Sequence, residues 1–145
     1  MTQDADAARI IAALDLSRHP EGGWYRETWR AEATPGLRPA GTAILFLLER
    51  GQRSHWHKVD GEEHWFWHAG ASLTLSIAPD DAGPVTDIAL GPGVLAGQTP
   101  QARVPTDHWQ AAEPRGGWTL VSCTVIPGFR FEGFTLAPRG WAPGA

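Results

Sequence analysis

Ser54-His55-Trp56-His57-Lys58-Val59-Asp60-Gly61-Glu62-Glu63 decides how this chain is read. Side chains two residues apart on a β-strand point to the same face, so the alternation sets His55 beside His57. Asp60-Gly61 is a turn signal. A strand returning antiparallel from that turn brings a carboxylate, from Glu63 or else Glu62, to face the two imidazoles. Two histidines and one carboxylate with open positions suit a divalent transition metal such as iron, manganese, nickel or zinc. The same residues also read as polar surface groups, or as histidines hydrogen-bonded to a carboxylate without metal.

Strand character continues on both sides of this segment. Upstream, Gly41–Glu49 is a nearly continuous apolar run of the kind a strand covered on both faces carries. Before it, Trp24–Arg30 alternates after the turn residues of His19-Pro20-Glu21-Gly22-Gly23. Downstream, Glu62–Ala69 and Ser72–Ala78 read with Arg53–Lys58 as consecutive antiparallel strands, a meander around a polar centre. A looser excursion over Ala82–Gly97 follows, with only Val85–Leu90 extended. Four more strands are expected at Gln101–Val104, His108–Ala112, Trp118–Ile126 and Phe129–Leu136. Ala5–Leu16, with Ile10, Ile11, Leu14 and Leu16 at helical spacing, forms one short amphipathic helix over a mouth or edge of the sheet. The tail after Ala137 is irregular.

The 145 residues suit a single domain, 1–145, with its core over about 14–137. Glycine (17) and proline (12) punctuate the chain too often for long helices and favour an all-β class. A net charge of -4 with singly scattered arginines offers no field for a phosphate backbone, so nucleic acid is not an expected partner. No apolar run has signal-peptide or membrane-spanning length, which leads us to expect a cytoplasmic protein without membrane contact. Cys123 lies in the apolar run Thr119–Ile126 and reads as a buried, inert thiol.

In order and content these residues resemble the cupin superfamily. Its first motif runs Gly, five residues, His-x-His, three or four residues, Glu, six residues, Gly. His55, His57, Glu63 and Gly70 follow that order, with five residues between His57 and Glu63 and with Glu49 at the leading glycine position. Glu62 restores the shorter gap but loses the spacing to Gly70, so Glu63 is preferred. Its parity also aligns it with Trp65 and Trp67. The second motif, Pro-x-Gly-x-x-His, stands here as Pro105-Thr106-Asp107-His108-Trp109-Gln110, with Gln110 in place of the histidine.

More narrowly, the chain is similar to the small cupin family 5 proteins, relatives in fold of the dTDP-sugar epimerases, over about Leu14 to Ala137. The matches are His19-Pro20-Glu21-Gly22-Gly23 with Arg26-Glu27-Thr28, Glu63-x-Trp65 ending in Ala69-Gly70, Trp109-Gln110-Ala111-Ala112, and Pro127-Gly128-Phe129. The resemblance implies a jelly-roll barrel with a short N-terminal helix, commonly paired as a homodimer. It implies a metal set of His55, His57, Glu63 and Gln110, weak or empty because an amide oxygen is a poorer ligand than imidazole. His108 shares the parity of Gln110 but lies one side-chain repeat away, lining the pocket without reaching the metal. His64 and His68 read as structural or surface residues.

Trp65 and Trp67 are expected to present aromatic planes to a small-molecule ligand, whereas Trp118 and Trp29 read as core filling. Arg26 is an anion clamp if its face is inward, and otherwise an ion-pair partner of Glu27. The leading functional reading is an isomerase or epimerase of a sugar or related carbonyl metabolite, with His57 or Glu63 moving a proton beside the carbonyl. Such an enzyme needs an acid on the other substrate face. Tyr25, the only tyrosine, has parity opposite to Arg26, which counts against a close copy of the sugar epimerases. The alternative is a non-catalytic binding or sensor module for a sugar, nucleotide or apolar metabolite. A third reading, a metal-dependent oxygenase, is disfavoured by Gln110.

Overall fold

The computed structural model describes residues 2–145, with side chains described from residue 5 onward. A helix, α1 (Thr2–Ala13), precedes eleven strands: β1 (Ser17–Arg18), β2 (Trp24–Arg30), β3 (Thr42–Leu48), β4 (Ser54–Val59), β5 (Glu62–Gly70), β6 (Leu73–Ala78), β7 (Thr86–Leu90), β8 (Gln101–Val104), β9 (Trp109–Pro114), β10 (Thr119–Ile126) and β11 (Phe134–Leu136). The expected strands are present with ends displaced by a residue or two, except at Phe129–Leu136. There a short 3-10 turn, Phe131–Gly133, takes the first half and only β11 is extended.

The strands form two antiparallel sheets, ordered β1-β2-β3-β10-β5-β8 and β11-β4-β9-β6-β7. This is the jelly-roll architecture that the resemblance implies, and it overturns the expected meander. Strands β4, β5 and β6 alternate between the sheets instead of pairing with one another. The Asp60-Gly61 turn therefore carries the chain across the sandwich, and His57 and Glu63 face each other from opposite sheets.

Burial follows from this two-layer arrangement. Between the sheets, Phe46, Leu48, Trp65, Leu73, Leu75, Leu90, Val104 and Val121 form the main core, all at most 1% exposed. On the outer face of the first sheet, Ala7, Ile10 and Ile11 of α1, with Leu14 just beyond its end, pack on Leu45, Leu47, Trp24, Trp118 and Leu120. The helix thus covers a sheet face rather than a barrel mouth. On the outer face of the second sheet the irregular C-terminal tail brings Ala137 and Trp141 against Trp56 and Trp109. Trp118 is half-buried under α1, but Trp29 is 54% exposed, against expectation. A bulge between Glu27 and Trp29 is the reason, because one extra residue in β2 resets which side chains face outward.

No helix among the described residues is long and apolar enough to cross a membrane.

Candidate functional site

A cavity of about 440 Å³ opens at one end of the sandwich, within the usual ~300–1,000 Å³ of small-molecule sites. Its walls include Ile44, Val59, Val125, Phe129 and Phe134; its polar lining includes His19, Glu21, Tyr25, His57 and Glu63, with Cys123 beside them. The sequence brought attention to His57 and Glu63, and both are there. Glu21 and His19 line it too, from a loop in which no periodicity marks a side chain as facing inward.

That loop is built for close approach. Gly22 and Gly23 have φ of +107° and +90°, and a Cβ on Gly22 would lie 2.1 Å from the Arg53 carbonyl oxygen. Without side chains there, the turn closes through His19 N–H to Gly23 O and Gly22 N–H to His19 O, and the Glu21 carbonyl accepts from His55 N–H at 2.8 Å. The Glu21 carboxylate is carried into the interior, 7% exposed, where Oε2 lies 2.6 Å from His57 Nε2. The signal for it was a Gly-Gly pair directly after an acid, which marks a backbone pressed against something.

The expected pairing of His55 with His57 does not form. Ser54 pairs with Ala112 and His57 with Gln110, so β4 carries one residue more than β9 between these points. This bulge breaks the parity. His55 turns away, with Nε2 3.0 Å from Pro138 O, while its own carbonyl accepts from His57 Nδ1–H at 2.7 Å.

Gln110 is also unlike the ligand it replaces. The Trp65 indole N–H, which can only donate, donates to Gln110 Oε1 at 2.8 Å and so fixes the amide orientation. The amide NH₂ then donates to Glu63 Oε1 at 2.8 Å. Its oxygen is occupied and its nitrogen is no ligand. His57 is engaged at both nitrogens, and His55 is elsewhere. The donor set therefore does not fit a metal, and among the described residues no group of three or more His, Cys, Asp or Glu side chains is arranged to hold one.

Trp65 accordingly serves the wall behind the site, buried in the core and not on the cavity. Trp67 donates to Ala71 O and packs against the same core. His108 lies near the surface with Nδ1 3.2 Å from Thr106 O, outside the cavity. Arg26 pairs with Leu45, whose side chain faces α1, and its Nε–H donates to Leu14 O at 2.7 Å. It borders the cavity only at the rim. Beyond the β2 bulge, Arg30 takes the cavity side and donates two bonds of 2.8 Å to Glu27, so the pair that forms is Arg30–Glu27. Tyr25 has the opposite parity to Arg26, as read, and that parity places it in the cavity. Glu62 points to the outer surface, held down at about 2 by the Thr106 N–H and hydroxyl and by Arg103.

Charge in the interior is set by competition between burial and neighbours. For His57, burial favours the neutral ring, but the charge of Glu21, the contact with it, and the charge of Glu63 reverse this and raise the pKa to about 9. The imidazolium in turn holds Glu21 below the usual carboxylate range against its own burial. Glu63 is pushed up to about 7 by burial and by the charge of Glu21, opposed by His57, Gln110 and the Cys123 thiol. Burial raises the thiol well above its ordinary value, so it is inert, as read. At neutral pH the site thus holds a fixed ion pair, Glu21–His57, facing a carboxyl group near its titration midpoint.

Replacing Trp65 with Phe tests how far that environment depends on the wall behind it. Loss of the indole donor leaves Gln110 Oε1 buried without a partner, costing about 1–3 kcal/mol. Urea denaturation of Trp65→Phe is expected to show that loss, and an unchanged midpoint would mean that the amide is not locked.

The sequence matches the family profile described as Cupin superfamily (DUF985) over residues 8–137. Among solved structures, a protein from Shewanella oneidensis is 38% identical with a TM-score of 0.84, the match covering 93% of this chain and 85% of that one. A hypothetical protein from Leishmania major is 29% identical, also at 0.84, covering 93% and 89%. Oxalate decarboxylase from Bacillus subtilis, in which Mn(II) centres have been studied, aligns at 16% identity and a TM-score of 0.64, over 85% of this chain and 30% of that one. That likeness is one of fold. No functionally curated protein matches. With nine-tenths of its length inside the family match, this chain belongs to the DUF985 family of the cupin superfamily.

Proposed function

We propose that the chain is an isomerase or epimerase of a small carbonyl metabolite, working without metal, in which Glu63 moves the proton. The observation that supports this most is the facing of Glu63, with a pKa pushed up to about 7, by the buried Glu21–His57 ion pair across the cavity. A general base is most effective when its pKa lies near the working pH. His57, engaged at both nitrogens, is not itself the base. Its role is to supply a positive charge near the reacting atoms.

In this reading the Glu63 carboxylate takes a proton from the carbon next to the ligand's carbonyl. The electron pair of that C–H bond forms the enolate, and its negative charge develops on the carbonyl oxygen in a cavity where positive charge is already fixed. Return of a proton to the same carbon from the opposite face gives the epimer; return to the former carbonyl carbon, after the proton on the adjacent hydroxyl shifts, gives the isomer. Tyr25, lining the same cavity, supplies an acid on another side.

The experiment is exchange of carbon-bound hydrogen in D₂O, followed by proton NMR with hydroxyketones and aldoses as probes. Loss of the signal next to the carbonyl in the presence of wild-type protein is the expected result. Ligands that bind by calorimetry but never exchange would instead make the chain a binding module.

A further inference from the structure

His19 is not used in the reaction described above, yet it occupies the cavity with its tautomer fixed. The Glu21 backbone N–H donates to His19 Nδ1 at 3.1 Å, so Nδ1 carries a lone pair and the proton of the neutral ring is on Nε2. The ring is gripped edge-on by aromatic neighbours, with centroids 4.5 Å from Tyr25, 5.8 Å from Phe46 and 6.1 Å from Phe134. Glu21 Oε1 lies 3.7 Å away on the Nδ1 side, and both side chains are 6% exposed. Burial, partly offset by the charge of Glu21 and reinforced by that of His57, keeps the ring neutral. What remains to meet a ligand is one N–H donor of known position on a ring that cannot turn.

We infer that His19 binds the ligand's carbonyl oxygen through Nε2–H, donating a hydrogen bond to the atom on which negative charge develops when Glu63 acts. The inference rests on the carbonyl-isomerase reading for the identity of that oxygen. A neutral imidazole suits the role because it polarises the carbonyl without surrendering a proton to it. Its fixed orientation means that no reorganisation accompanies the reaction. The ligand class narrows accordingly: a carbonyl with hydrogen on the adjacent carbon, carrying an apolar or flat substituent to lie against Phe129 and Phe134 at the wall.

Phenacyl alcohol has these features, and styrene glycol is the same skeleton with the carbonyl reduced. In protein labelled with nitrogen-15 at histidine, His19 is expected to show the proton on Nε2, and that signal is expected to move on addition of phenacyl alcohol. His19→Phe, which keeps the ring shape, is expected to weaken phenacyl alcohol binding about tenfold, the equivalent of about 1.4 kcal/mol. His19→Gln, whose amide nitrogen reaches a similar position, is expected to recover most of it, and styrene glycol, whose hydroxyl is a weaker acceptor than the carbonyl, is expected to lose less affinity in His19→Phe than phenacyl alcohol does. A proton found on Nδ1, an unmoved signal up to the solubility limit of the probe, or equal affinity in wild type and His19→Phe overturns the inference. Binding that depends on His19 without hydrogen exchange would sink the isomerase reading alone. Exchange that proceeds unchanged in His19→Phe would sink the role of His19 alone.

Discussion

Glu21→Gln is expected to destabilise the protein by about 3–5 kcal/mol, the usual effect of removing one partner from a buried ion pair. The amide keeps the shape of the side chain but leaves His57, 2% exposed, without its principal counter-charge. In the wild type the His57 pKa of about 9 means that the folded state binds this proton more tightly than the unfolded chain, whose value is near 6.5. That contribution is complete below about 6.5 and is lost as pH rises through about 9. In the variant, burial dominates and the ring's affinity for a proton falls. The difference between the two proteins, measured by urea denaturation at a series of pH values, is therefore expected to be widest near pH 6 and to shrink towards pH 9. A loss of the same size at every pH would show that Glu21 acts through packing and not through charge.

Glu63→Gln is expected to abolish hydrogen exchange with carbonyl probes, a loss of about 10²–10⁴-fold, because an amide cannot take the proton. The same substitution separates chemistry from folding. Glu63 binds its proton more tightly in the fold, at about 7, than in the unfolded chain, near 4.5. Its stabilising effect is thus present below about 4.5 and is lost as pH rises to about 7, amounting to about 3 kcal/mol. The variant lacks this slope. Between pH 5 and 7 its stability is expected to decline less steeply than that of the wild type while its fold, judged by circular dichroism, is retained. Exchange at the wild-type rate would remove Glu63 from the reaction.

Most of the strands were legible because alternation and turn residues act locally. Trp24–Arg30 and Gln101–Val104 were placed to the residue. What escaped the sequence was non-local. Nothing in Arg53–Ala78 distinguishes three strands that pair with one another from three that cross between sheets, since each needs one buried face and short turns either way. The β4 bulge escaped for a related reason: one extra residue between Ser54 and His57 is visible only against the partner strand β9. It turned a convincing His-x-His pair into one interior imidazole and one outside. The β2 bulge likewise brought Arg30 to the cavity side, while Arg26, ahead of the bulge, keeps the outer face with Leu45. Gln110, by contrast, was rightly singled out as a departure, but its consequence needed Trp65, whose indole settles which end of the amide faces Glu63. Glu21 came from a loop, where no periodicity exists to say which way a side chain points.

Because His57 rises from one sheet and Glu63 from the other, a molecule seated between them is also a brace. It would tie together strands of different sheets, β4 and β9 on one side with β5 and β10 on the other. Occupancy then becomes a mechanical property of the whole sandwich, slowing the breathing of both layers at once.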